Sequence, residues 1–395
     1  MSTTESQSNS NLRNELRPET RSLHDGWHPR APGEPVSATW SPSTVFHHPA
    51  QGLSAGEWSY TRLDNPNRSQ LEAALASLEG GDQALAFSSG MAAVQAAFHI
   101  LDPGDHVLLP DDLYHGVRNL IRDHYARWGL AFDFVDMTRP EAVEAAATAR
   151  TRMLWLETPS NPMLRISDIR KLAGLASERG WISVVDNTWC TPVIQRPLEL
   201  GADVVLYSTT KYLGGHSDVL GGALVLRGGG HMRELFERLQ SVQRQAGAVP
   251  SPFDCWMMLR SLKTLYVRVR AQCSGAAQIA EKLTAHPAVG KVHYPGLSGH
   301  PGRETAAAQM DLPGAMISFE VKGDDAAALR VVSSSRIIIP ATSLGGVETT
   351  WEHRKTSEYE GTATPGNLIR LSAGLEHPED IWEDIGHALT ATTEP

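Results

Sequence analysis

Asp203 to Leu226 reads DVVLYSTTKYLGGHSDVLGGALVL, and the order of residue types in it decides how the rest of the chain is read. Two short apolar runs, Asp203 to Leu206 and Ala223 to Leu226, flank a polar, Gly-rich connection with Lys211 at its centre. Short apolar runs bounded by turn residues are buried strands, and a Gly-rich link between two of them serves presentation better than packing. Lys211 is the group presented. A lone lysine is ordinarily a solvated surface residue, so its neighbours must carry the case for chemistry.

Working outward, the same short apolar runs recur at Ala84 to Phe87, His106 to Leu109, Phe132 to Val135, Met153 to Leu156 and Ile182 to Val185. Helical patterns fit between most of them, for example Gly116 to Trp128 and Pro140 to Ala149. Strands alternating with helices imply an α/β fold whose mostly parallel central sheet is covered on both faces. Upstream, Arg68 to Leu78 is a helix stopped by Gly80-Gly81. Downstream, Ser251 to Ala285 reads as one long helix leading into a smaller α/β unit. That unit has strands at Ala315 to Val321, Arg336 to Ile339 and Leu368 to Ser372, and helices at Ala326 to Val332 and Pro378 to Leu389. The expected organisation is an arm over residues 1–67, a large domain over 68–262 and a C-terminal domain over 263–395. Met1 to about Gly26 is polar and expected to be disordered. From there to Asn67 the arm carries Trp27, Trp40, Phe46, Trp58 and Tyr60 without periodicity, so it should lie on another surface, in a dimer the partner's.

Composition narrows the function. The net charge of −10 and the lack of a basic cluster speak against nucleic acid as a partner. Cys190, Cys255 and Cys273 are widely spaced and suggest neither a disulfide framework nor a metal site. No apolar leader or membrane-spanning stretch is evident, so a soluble, cytoplasmic protein is expected.

Asp186 closes the apolar run Ile182 to Val185, where a carboxylate at the C-terminal edge of a parallel strand faces the ligand crevice. Lys211 follows after the next strand and can face the same crevice. A lysine destabilised by burial or nearby cations is a nucleophile towards an aldehyde, and pyridoxal phosphate needs a carboxylate at its ring nitrogen. Ser208 and Thr210 flank the lysine with hydroxyls suited to phosphate. Ser88-Ser89-Gly90-Met91 follows a strand and opens a helix, whose free N–H groups also suit phosphate.

Several ordered motifs together carry a resemblance. They are YTRLDNP (Tyr60 to Pro66), SSGMAA (Ser88 to Ala93), DDLYHG (Asp111 to Gly116), ETPSNP (Glu157 to Pro162), DNTW (Asp186 to Trp189), STTKYLGGHSD (Ser208 to Asp218), SLGGVE (Ser343 to Glu348) and NLIRLSAGLE (Asn367 to Glu376). In these the chain resembles the Cys/Met metabolism family of pyridoxal-phosphate enzymes, which includes cystathionine γ-synthases, cystathionine γ- and β-lyases and methionine γ-lyases. The resemblance implies the type I, aspartate-aminotransferase-like fold of PLP-dependent transferases and a homotetramer built from two active dimers. It makes Lys211 the Schiff-base lysine, Asp186 the partner of the ring nitrogen and Tyr114 the ring-stacking tyrosine. Gly90, Met91, Ser208 and Thr210 become the phosphate cradle, completed by Tyr60 and Arg62 of the neighbouring subunit, with Thr188 also beside the cofactor. Asn161 is implied to lie near the cofactor's phenolic oxygen and, with Arg370, to take the substrate carboxylate, with Ser343, Thr342 and His115 around the substrate. Lys211, Tyr114 and Tyr60 are the implied proton carriers.

The resemblance implies γ-elimination or γ-replacement on a γ-substituted L-amino acid, a small-molecule substrate. The alternatives are a cystathionine β-lyase, a specialised γ-lyase acting on an unusual amino acid, and a non-catalytic cofactor-binding subunit. Three departures touch the substrate end. Ala341-Thr342 replaces the Glu that many relatives carry before SLGG, and His115 stands where methionine γ-lyases continue with Gly-Cys. After Glu348 the sequence runs TTWEHRKTSEYEG, without the CHPAxMTH-like segment common in the family.

Overall fold

The computed structural model describes residues 16–29, 31–52, 58–358 and 364–390. Its larger sheet has seven strands: β1 (Gln83–Phe87), β2 (His106–Pro110), β3 (Ala131–Val135), β4 (Thr151–Glu157), β5 (Ile182–Asp186), β6 (Val204–Tyr207) and β7 (Gly222–Leu226). They are arranged β1-β7-β6-β5-β4-β2-β3. β2 to β6 pair in parallel, while β7 runs antiparallel to both β1 and β6. Every strand except β7 therefore points the same way. β2, β6 and β7 are buried along their whole length, as helices on both faces require. β3, at the edge, alternates and is partly exposed.

This topology assembles the site. The segments after β1, β2, β4, β5 and β6 all leave from one edge of the sheet: Ser88 to Gly90, Asp111 to His115, Thr158 to Pro162, Asn187 to Trp189 and Ser208 to Lys211. The C-terminal edge of a parallel sheet is where open α/β folds place their ligands.

A second sheet of five strands is ordered β10-β11-β12-β9-β8. Its members are β8 (Val289–His293), β9 (Met316–Val321), β10 (Ile339–Pro340), β11 (Thr350–His353) and β12 (Leu368–Ser372). β10 and β11 are parallel and the other pairs antiparallel.

Four readings of the sequence need correction. The Arg336 to Ile339 strand shrinks to Ile339–Pro340, because Asp384 accepts from the backbone N–H groups of Arg336, Ile337 and Ile338 and no strand neighbour is needed. The long helix is two, Pro252–Leu262 and Leu265–Ala285, and the Arg268 guanidinium fills the break by donating to the Ser261 carbonyl at 3.0 Å. The helix read over Gly116 to Trp128 starts at His115 and carries a π-helical turn at Ile121–Tyr125. Finally, Pro18–His24 forms a helix inside the stretch expected to be disordered; Arg21 fastens it to Ser77 at 2.8 and 3.0 Å. Residues 1–15 of that stretch lie outside the described residues.

The arm rests partly on its own chain. Trp256 Nε1 donates to the Ala38 carbonyl at 2.8 Å, and Trp40 packs edge-on against Phe253.

Candidate active site

Lys211 sits in the turn after β6, and its Nζ donates to Ser343 Oγ at 2.5 Å. Burial, reinforced by the Arg370 charge, pushes the amine down to about 8, so a useful fraction is unprotonated near neutrality. Ser343 holds the other end of this contact in a left-handed conformation, φ 85°, which costs a non-glycine residue energy and persists where the surroundings impose it. Here the surroundings are clear: the Ser343 carbonyl accepts from Arg370 at 3.1 Å while its hydroxyl meets the lysine.

Asp186 ends β5 with its Oδ1 accepting from the Thr188 N–H at 3.0 Å. Thr188 in turn accepts from the Ser208 N–H through Oγ1, at 2.9 Å, which ties the Asp186 loop to the lysine loop. Burial raises the Asp186 carboxyl. Next to it on β4 stands Glu157, whose Oε2 accepts from the backbone N–H of Tyr114 at 2.8 Å and so places the tyrosine.

The helix Gly90–His99 is capped by Ser89, whose side chain accepts from Ala92 at 3.1 Å. Gly90 and Met91, at its first positions, present the N–H groups that a helix cannot satisfy internally. A Cβ on Gly90 would lie 2.8 Å from Ser208 Cβ and 2.9 Å from its Oγ, so only glycine lets the helix start and the Ser208 loop come this close. Thr210, in the same loop, is bound to Gly221 in both directions, at 3.0 and 3.2 Å.

Tyr114 is part-exposed, its phenol held above the usual range by burial, and its ring packs beside His115. Arg370, on β12, is buried; its Nη1 donates to Asn161 Oδ1 at 2.9 Å. Thr342 is exposed beside Ser343.

Two charged residues in contact with the site escaped the sequence reading. Glu352, on β11, is the Cα partner of Arg370 and forms an ion pair with it. Arg354 follows, donates to the same Glu352 oxygen at 2.8 Å, pairs with Glu358 at 2.7 Å and approaches His115 Nδ1 at 3.3 Å. Their signal was the charged pattern in TWEHRKTSE, whose meaning appears only with the strand register. A cleft of about 680 Å³ opens beside Asn161 and Glu358, with Asp112, Arg165, His293 and His300 in its walls.

Comparison with known proteins fits this geometry. The family model described as Cys/Met metabolism PLP-dependent enzyme matches residues 19–390. The chain belongs to that family. Cystathionine γ-synthase of Mycobacterium tuberculosis is 44% identical over 378 residues, covering 94% of this chain and 96% of that protein. Cystathionine β-lyase of Coxiella burnetii is 41% identical over 380 residues, covering 94% and 97%. The crystal structure of a methionine γ-lyase from Micromonospora echinospora superposes with a TM-score of 0.89 at 40% identity, covering 95% of this chain and all of that one (100%).

The fold is accordingly the type I fold of PLP-dependent enzymes, and this member of the Cys/Met metabolism family uses pyridoxal phosphate. Its residues fit that group. Gly90 puts no side chain between the helix start and Ser208, the half-buried Asp186 offers a carboxylate to a ring nitrogen, and Lys211 is an amine of lowered basicity. Arg62 donates to the Arg244 carbonyl at 2.7 Å and lies near the Tyr60 ring, which is exposed.

Proposed function

We propose that this enzyme catalyses γ-elimination or γ-replacement on a γ-substituted L-amino acid, of the cystathionine γ-lyase or γ-synthase kind. The observation that carries the reading is the Lys211–Ser343–Arg370 chain, which puts an amine of moderate basicity next to a buried guanidinium. Arg370 and Asn161 bind the substrate carboxylate, a planar, forked recognition that lysine cannot supply. That holds the α-carbon within reach of Lys211, which takes the α-proton and then moves protons at the β-carbon. Bound pyridoxal phosphate supplies the aldehyde and the ring that takes up negative charge. Asp186 keeps the ring nitrogen protonated, with Thr188 orienting the carboxylate. Tyr114 retains its proton at neutral pH and gives it to the leaving group.

The same reading makes the active unit a homo-oligomer, a dimer of active dimers, in which the neighbour's Tyr60 and Arg62 complete the phosphate side. The family motif YTRLDNP and the exposure of Tyr60 support it. Among the described residues no helix is long and apolar enough to cross a membrane. The three cysteines are free and buried, which suits a reducing, cytoplasmic setting. A second reading, cystathionine β-lyase, is favoured by the DNTW motif, whose Trp189 ring lies 5.8 Å from the Arg370 guanidinium.

A product assay separates these. Offered cystathionine, the enzyme should release 2-oxobutanoate; O-acyl-homoserine with cysteine should give a new thioether if replacement dominates. Pyruvate from cystathionine would establish the β-lyase reading instead.

A further inference from the structure

Glu352 is held by two guanidinium groups at once. One contact is set by the sheet: Glu352 and Arg370 are directly opposed on antiparallel β11 and β12, where side chains of a pair share a face. The other comes from Arg354 Nη1, at 2.8 Å from the same oxygen. Arg354 is itself 2% exposed at its side chain, and among the described residues it also meets Glu358 at 2.7 Å and His115 Nδ1 at 3.3 Å. Two arginines thus face two glutamates before any substrate arrives.

A substrate carboxylate that binds Arg370 adds a third anion to this group. At short range and low dielectric, Glu352 and the incoming carboxylate cannot share one guanidinium without strong repulsion. A buried carboxylate released without a partner is equally costly. The arrangement offers one way out, because Glu352 already touches a second cation.

We propose that Arg354 is a positioning residue that retains Glu352 when the substrate carboxylate takes its place on Arg370. The exchange makes and breaks ion pairs only; no covalent bond or proton moves. Resting on the reading of Arg370 as the carboxylate site, it makes Glu352 a resident competitor. Glu352 keeps Arg370 neutralised in the empty site and yields only to a ligand carrying a carboxylate of its own. Ligands with an amine but no carboxylate leave the pair closed. The device lies in TWEHRKTSE, the segment where this chain departs from the common family sequence.

The test uses 4-(methylsulfanyl)butanoate, which has a carboxylate and a γ-sulfur but no amino group to react. Its affinity for the holoenzyme is measured by calorimetry, so turnover plays no part. Glu352→Gln should bind it about tenfold more tightly and Arg354→Met about tenfold more weakly, the range expected for charge-assisted pairs. The double variant should recover to within about threefold of Glu352→Gln, since no carboxylate is left to trap. In turnover, Arg354→Met should raise KM for the amino-acid substrate far more than it lowers kcat. An unchanged or weaker affinity in Glu352→Gln, or a double variant as weak as Arg354→Met, overturns the hand-off. Should Arg354→Met fail to fold, Glu352→Gln decides alone. Arg370→Ala separates the two levels: if it binds the probe like wild type, the carboxylate reading itself is wrong. If it loses the probe while Glu352→Gln changes nothing, only the hand-off falls.

Discussion

Glu157 and Asp186 stand side by side as Cα partners at the ends of β4 and β5, one buried and one half-buried carboxyl group in one corner of the site. Burial raises both, and the Asp186 charge raises Glu157 well above the usual carboxylate range, so the environment leaves Asp186 as the ion and Glu157 as the neutral acid. Glu157→Gln should therefore keep activity near neutral pH within about threefold, because the amide imitates the protonated acid. Asp186→Asn should lose at least about a hundredfold, since the ring nitrogen loses its anion. Steady-state kinetics on both variants checks this; equal losses would overturn the division of roles, and a larger loss in Glu157→Gln would reverse it.

For Lys211 the expected behaviour is read in the enzyme stripped of its cofactor. The free amine, pushed down to about 8 by burial and the Arg370 charge, should react with an amine-directed acylating reagent with a pH midpoint near that value. Peptide mass spectrometry locates the label. Lys211→Ala should abolish both turnover and the visible absorbance of the bound cofactor.

Gly90→Ala brings a methyl group to 2.8 Å from Ser208 Cβ, at the helix start proposed to hold the phosphate. Cofactor affinity, by equilibrium dialysis, should fall by at least about tenfold, while overpacking costs about 1–3 kcal/mol of stability. A variant with unimpaired cofactor binding would move the phosphate elsewhere.

Beneath the sheet edge, Glu79 accepts from the Tyr207 hydroxyl in a fully buried pair, and burial pushes its carboxyl up to about 8 from an ordinary 4.5. The folded chain thus holds a proton that the unfolded chain releases at lower pH. Glu79 contributes its full share of stability below pH 4.5, and loses it as pH rises through about 8. Glu79→Gln should flatten the fall in Tm across this window, measured by calorimetry at several pH values.

Much of this was legible because buried strands of a parallel sheet are written as short apolar runs, and DVVLY or ISVVD can be little else. Lys211, Ser343, Arg370 and Asn161, each named from a motif, form one chain of contacts, and Asp186 is tied to the lysine loop through Thr188. β8 and β11 were not anticipated: VGKVH is a half-exposed edge strand, and TWEH is buried despite its charges because Glu352 has Arg370 across the register. The break at Lys263-Thr264 has no Gly or Pro to announce it; its cause, Arg268, acts from the next helix. Glu352 and Arg354 became visible as site residues only once two strands were laid side by side.

The direction of β7 has one more consequence. Because it alone runs backwards, the lysine segment leaves the sheet at Tyr207 and re-enters at Gly222 on the same rim, pinned across its base by Thr210 and Gly221. Arg268 holds its middle by donating to the Tyr212 carbonyl at 2.8 Å. The segment is a closed loop with both ends on one rim: Ser217, Asp218 and Leu220 in its outer turn are exposed while Val219 between them is buried, so the sheet and the core together fix where Lys211 stands.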